Sequence, residues 1–180
     1  MDINKLSGLN NLGNTCYMNS ALQLLFHCTV FSKFIINNDF KDKFLKGYKQ
    51  TLLDYFKPNV LSLSPNIIKK YSGKINSMFK GYRQQDSHEF LIFLLDHLDE
   101  TLKKEVKTNK LINTINNTDP DKLLPILFDC KISSIVKCKE DNCFDKSKTK
   151  NSERMLSLPI PENRKNLSLF SCLEEFSKEE

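Results

Sequence analysis

Cys16 is the residue in this chain whose type and setting could do covalent chemistry. It stands in Gly13-Asn14-Thr15-Cys16-Tyr17-Met18-Asn19-Ser20, where small polar residues give way to apolar ones at helical spacing. Gly13 permits a tight bend, and Asn14 or Thr15 can cap the first unpaired amides of a helix. Met18, Ala21, Leu22, Leu25 and Cys28 recur on one face, so the spacing predicts a helix with Cys16 in its first turn. There the positive end of the helix dipole favours thiolate over thiol, and the thiolate is the attacking form. Position alone leaves one alternative open, a small apolar cysteine of the core.

A thiol nucleophile needs a base, and the chain has three histidines. His27 follows Cys16 on the same predicted helix by eleven residues, about 16 Å at ~1.5 Å rise per residue, and cannot be its partner. His97 falls off the strongest apolar stripe of a later helix and reads as solvated or partly packed. His88 sits in a second polar block, Gly81-Tyr82-Arg83-Gln84-Gln85-Asp86-Ser87-His88-Glu89-Phe90-Leu91.

The elements that must position these residues are helical first and extended later. Phe40, Phe44, Tyr48, Leu52 and Tyr55 mark a second amphipathic helix, which Lys57-Pro58 ends. Ser64-Pro65 opens a short third helix, serine as cap and proline in the first turn. A fourth runs from near Asp86 to about Val106, with Leu91, Leu94 or Leu95, Leu98, Leu102 and Val106 as its buried stripe. Asp86 followed by Glu89 is also a capping box that would start this helix. Residues 107–122 are polar and asparagine-rich and read as a loop. Beyond Pro125, Ile126-Leu127-Phe128, Ile132, Ile135-Val136 and Met155 to Ile160 read as strands, separated by the polar stretch Lys139 to Glu153.

Two blocks in order carry a family resemblance. Gly8-Leu9-Asn10-Asn11-Leu12-Gly13-Asn14-Thr15-Cys16-Tyr17-Met18-Asn19-Ser20 resembles the cysteine box of the ubiquitin-specific proteases, papain-like deubiquitinating enzymes. The block from Gly81 to Leu91 resembles that family's second signature. The resemblance implies an α+β, papain-like fold: a helical thumb over about residues 1–122, then the first strands of the fingers over about 123–180, cut before the histidine-bearing palm. It implies that Cys16 attacks the bond after ubiquitin's C-terminal glycine and that the Asn11 amide helps hold the oxyanion. Asn10 is the rival for that role, and turn formation is the alternative for both. Gln85, Asp86 and Glu89 would line the channel for ubiquitin's tail, whose arginines suit carboxylates and whose glycines suit a narrow passage. The family does not use His88 as base, and its histidine block has no match here. A gene fragment or a split catalytic domain would account for that. A ubiquitin-binding fragment without turnover is the alternative reading.

The same resemblance places Cys138 and Cys143 at the finger's first cysteine pair, with four residues between them where the family usually has two, and Cys130 where it usually has glycine. Two thiolates offer half of a tetrahedral zinc site and do not close one. A structural zinc in the full-length protein and a metal-free finger both stay open; catalysis itself is expected to need no cofactor.

Composition fits one ordinary domain: 180 residues, 39% hydrophobic, 27% charged. The net charge of +5 comes from scattered lysines, which reads as a solvated surface, with no nucleic-acid partner expected. Six cysteines are too sparse for a disulfide scaffold, and Met1-Asp2-Ile3-Asn4-Lys5 leads into no apolar core. Reduced thiols in cytoplasm or nucleus are expected, with ubiquitin and ubiquitinated proteins as partners and no membrane.

Overall fold

The computed structural model describes residues 7–108, 119–138, 145–162 and 167–178. The chain forms two compact units, Met1–Leu127 and Phe128–Glu180.

The first unit is built on helices. α1 (Cys16–His27) starts at the predicted residue and buries Tyr17, Met18, Ala21, Leu22, Leu25 and Phe26. Cys28 breaks it with an extended backbone, and α2 (Thr29–Asn37) follows, an element the apolar reading of the Cys16 helix did not separate. Its Phe31, Phe34 and Ile35 are fully buried. Asp42 caps α3 (Lys43–Tyr55), accepting from the amides of Phe44 and Leu45. All five residues of the predicted apolar face are buried, although Phe40 precedes the helix.

α4 (Asn66–Ile75) begins one residue later than expected: Pro65 is the cap residue and no side chain caps the end. The Ser64 hydroxyl instead accepts from Asn10 Nδ2 at 3.0 Å. A short 3-10 turn, Ser77–Phe79, leads to α5 (Ser87–Thr108). α5 buries Phe90, Leu94, Leu95, Leu98, Leu102 and Glu105, so its stripe ends at Phe90 and Glu105, not Leu91 and Val106. The glutamate is inside because its Oε1 accepts from the backbone amides of Lys41 (2.8 Å) and Asp42, tying α5 to the loop before α3. α5 also runs two residues into the segment expected to be loop, and Pro120–Lys122 forms a second 3-10 turn; residues 109–118 of that segment lie outside the described ones. Two residues each of β1 (Gly8–Leu9) and β2 (Ser62–Leu63) pair in parallel.

Ile126-Leu127-Phe128 is helical, not extended: it closes α6 (Leu123–Phe128), which buries Leu123 and Leu124. The short apolar run fitted either period, and the helix won.

The second unit is an antiparallel hairpin plus a helix. β3 (Cys130–Lys137) contains Ile132, Ile135 and Val136 as predicted, but its partner β4 (Lys146–Glu153) is formed by the polar stretch read as a spacer. Met155 to Ile160 has no regular structure. The Arg154–Asp129 ion pair, Nε to Oδ1 at 2.9 Å, ties the hairpin's base. α7 (Leu169–Phe176), started by a capping box between Ser168 and Ser171, was not anticipated. Among the described residues no helix is long and apolar enough to cross a membrane.

Candidate active site

The loop before α1 is organised around one side chain. Asn11 Oδ1 accepts from the amides of Gly13 and Thr15, each at 3.0 Å, and from the Thr15 hydroxyl at 3.2 Å. Thr15 Oγ1 in turn accepts from the Leu12 amide at 2.8 Å. Thr15 is therefore spent inside the loop and, like Asn14, does not cap α1 as predicted. Within this turn Gly13 has φ +100° and Asn14 φ +50°, the left-handed backbone that glycine and asparagine tolerate best. The loop delivers Cys16 as the first residue of α1 with an exposed thiol.

Three oxygen-directed donors fix which end of the Asn11 amide faces the loop, so Nδ2 is the end presented outward on an exposed side chain. Asn10 is used differently: its Nδ2 donates to Ser64 Oγ, and its carbonyl, with that of Leu9, accepts from Asn19 Nδ2. Of the two asparagines, Asn11 is the one whose side-chain donor has no partner among the described residues.

The second block is brought to this loop. Asn14 Nδ2 donates to the Tyr82 carbonyl at 2.9 Å, and a Cβ at Gly13 would stand 2.9 Å from Tyr82 Cδ1. The Lys69 ammonium anchors the block from α4, donating to the carbonyls of Phe79 and Gly81 at 2.7 Å each and to the Tyr17 hydroxyl at 3.1 Å. Burial holds the Lys69 pKa below the usual lysine value. Burial, and secondarily the neighbouring Cys16, raise that of Tyr17. Beneath lie the rings of Tyr17, Phe79 and Phe90: Phe90 is edge-on to Tyr17 at 5.3 Å and to Phe79 at 5.1 Å.

Gln85 is half-buried, its Nε2 donating to the Met78 carbonyl at 3.0 Å. Asp86 is exposed and makes its half of the predicted cap, Oδ1 accepting from the amides of His88 (2.7 Å) and Glu89 (3.0 Å). Those bonds, Glu89's first, hold its carboxyl below the usual aspartate range. Glu89 is exposed in the first turn of α5. Gln85, Asp86 and Glu89 thus share one turn, tethered through Tyr82 to the Cys16 loop. Sequence reasoning missed the tethers Asn14, Lys69 and Tyr82; a lone lysine in an amphipathic helix carries no signal of such a role.

The histidines have other places. His27 Nε2 lies 3.0 Å from the Tyr55 hydroxyl, which donates to Gln23. His97, partly packed as expected, stacks on Phe93 and meets Phe44 edge-on at 4.8 Å. His88 is exposed at the start of α5. Among the described residues none hydrogen-bonds the Cys16 sulfur.

In the second unit the Cys138 thiol is exposed, while Cys143 lies outside the described residues. Among the described residues no group of three or more histidine, cysteine or acidic side chains could hold a metal ion, so the donors seen do not by themselves fit a closed zinc site.

Residues 7–159 match the family model of ubiquitin carboxyl-terminal hydrolase. The chain belongs to this family. Among curated relatives it is 32% identical to the probable ubiquitin carboxyl-terminal hydrolase 1 of Schizosaccharomyces pombe, over 92% of this chain and 23% of that protein. It is 31% identical to ubiquitin carboxyl-terminal hydrolase Usp2 of Drosophila melanogaster, over 97% of this chain and 21% of that protein. Ubiquitin carboxyl-terminal hydrolase 12 of Saccharomyces cerevisiae is 40% identical over 56% of this chain and 10% of its own length. The chain therefore spans under a quarter of these relatives. The α+β fold matches that of a deubiquitinating (DUB) module, SAGA Ubp8/Sgf11/Sus1/Sgf73 bound to ubiquitin aldehyde, with TM-score 0.70 and 27% identity over 96% of this chain and 38% of the other. The module with a cysteine-to-alanine variant of Ubp8, bound to monoubiquitin, gives TM-score 0.71 at 25% identity over 96% of this chain and 39% of the other.

Proposed function

We propose that this chain is the nucleophile-bearing part of a thiol-dependent deubiquitinase that hydrolyses the bond after ubiquitin's C-terminal glycine in ubiquitin–protein conjugates. The observation that carries this reading is the tethering of two loops: the exposed Cys16 at a helix start, and the Gln85–Asp86–Glu89 turn held to it through Asn14 and Tyr82. In the reaction, Cys16 Sγ attacks the glycine carbonyl carbon and its proton passes to a base. The Asn11 Nδ2 and the Cys16 backbone amide donate to the oxyanion, and loss of one such donor typically costs about 3 kcal/mol of barrier lowering. The base returns the proton to the departing amine, leaving a thioester that water hydrolyses to free ubiquitin and thiolate. Asp86 and Glu89 would attract the arginines of ubiquitin's tail while Asp86 also starts α5. This chemistry draws on no metal; a structural zinc through Cys138 and Cys143 would need two further donors, from Cys130 and Cys172 of this chain or from a longer protein.

A second reading, ubiquitin binding without turnover, is favoured for the chain by itself, because its histidines are engaged elsewhere or exposed away from any bond to Cys16. Hydrolysis of a fluorogenic ubiquitin C-terminal reporter separates the two. A longer protein containing this chain should turn over the reporter and lose all activity on Cys16→Ala, while residues 1–180 alone should show none. Turnover by residues 1–180 that depends on Cys16 would instead require a base within them.

A further inference from the structure

A cleft of about 460 Å³ opens beside the tethered loops, and its walls are cationic. Lys69, Lys70 and Lys74 of α4 and Lys80 of the following turn line it together with Leu12 and Tyr82, and no acidic residue is among its lining. Its volume lies in the range of small-molecule sites. The convergence is built into the backbone. Lys70 and Lys74 are one helical turn apart on α4, and a Cβ at Gly73 would stand 2.6 Å from Lys80 Cα, so only glycine lets the Lys80 segment lie against that helix. α4 has no side-chain cap and no acidic residue in its first turn, so no carboxylate of that turn offsets its positive end. Lys69 is already committed to three oxygens, whereas no carboxylate among the described residues pairs with Lys70 or Lys80.

We propose that this cleft is a binding site for a small polyphosphate compound. Lysine ammoniums are compact point charges suited to phosphate oxygens, and the lining offers no arginine fork that would favour a planar carboxylate. Leu12 and the Tyr82 ring give the ligand an apolar wall. An occupant touches both the loop that presents Cys16 and the block that carries Asp86, so it reports on, and steadies, the tether between them. The site stands apart from the thiol chemistry and does not depend on it.

Inorganic tripolyphosphate is the probe, titrated calorimetrically into the protein at low ionic strength. Saturable binding should weaken on the order of tenfold or more in the triple variant Lys70→Gln/Lys74→Gln/Lys80→Gln, whose side chains are all exposed and whose fold should survive. The charge-matched variant Lys146→Gln/Lys148→Gln/Lys150→Gln on β4 should bind like the unaltered protein. Amine-acylation footprinting should show Lys70 and Lys80 protected by the probe, and Lys148 not. Equal weakening in both variants, unaltered binding by the cleft variant, or no saturable binding would each overturn the proposal.

Discussion

The two units hold their structure by different means. In the first, Tyr17, Phe79 and Phe90 are 3%, 1% and 0% exposed and pack ring against ring beneath the Cys16 loop. In the second, Ile135 and Val136 of β3 are 51% and 67% exposed, and every residue of β4 faces solvent. The helical unit is set by side-chain packing, which transmits from α5 to the cysteine loop. The hairpin is set by its ladder and the Asp129–Arg154 pair, and its described strand residues are almost all exposed. A site that must hold atoms in register belongs on the first kind of support.

The contrast can be broken by truncation. Phe90→Ala removes the ring that packs edge-on against both Tyr17 and Phe79 and should cost about 3–5 kcal/mol in chemical denaturation. It should also loosen the Cys16 loop, seen as faster amide exchange at residues 12–16. Val136→Ala in the hairpin should stay within about 0.5 kcal/mol and leave that exchange unchanged. Comparable losses for the two would erase the distinction between the units.

Within the first unit, Asn11→Ala leaves two amides and a hydroxyl without their acceptor and should cost about 1–3 kcal/mol. Asn11→Asp keeps the acceptor and should recover most of the stability, yet it should not recover reporter turnover, since the outward donor is gone. Recovery of both by Asp would reduce Asn11 to a turn former. Asp86→Asn should likewise keep the α5 cap while weakening ubiquitin affinity by roughly tenfold, the worth of a charge-assisted contact. Unchanged affinity by fluorescence anisotropy would leave only the capping role.

The smallest effect expected is a pH dependence in the helical unit alone. Burial lowers the pKa of His97, against the opposing influence of Asp42 and Glu100. The unfolded chain therefore binds this proton more readily, and its contribution is fully present above the unfolded value near 6.5 and is lost as pH falls below it. Melting temperature should drop between pH 7.5 and 5.5, and His97→Gln should flatten that drop. An unchanged slope in the variant would place its origin elsewhere.

The local backbone around Cys16 was more legible in sequence than the elements around it. Gly13 announces a tight bend and the apolar spacing after Cys16 announces a helix, because both are local signals, whereas Asn14, read as a cap, takes a left-handed backbone instead. Asn14's actual partner, the Tyr82 carbonyl, is 68 residues away and no local pattern encodes it. The α1–α2 break at Cys28 was hidden because Phe31, Phe34 and Ile35 continue an apolar helical pattern across it. β4 was hidden for the opposite reason: Lys146 to Glu153 has no buried face, so its strand state comes from pairing with β3 and leaves no period of two. Glu105 is buried where the stripe was expected to end on its neighbour Val106, because its carboxylate accepts from two backbone amides there.

The central claim is that Cys16, presented at the start of α1 by the Asn11-ordered loop, is the thiol that attacks ubiquitin's C-terminal carbonyl. A ubiquitin probe carrying a C-terminal electrophile, applied to a longer protein containing this chain and mapped by mass spectrometry, tests it directly. Modification should fall on Cys16 among the six cysteines of this chain and vanish in Cys16→Ala. Labelling that persists undiminished in that variant, or that maps to another cysteine, would contradict the account.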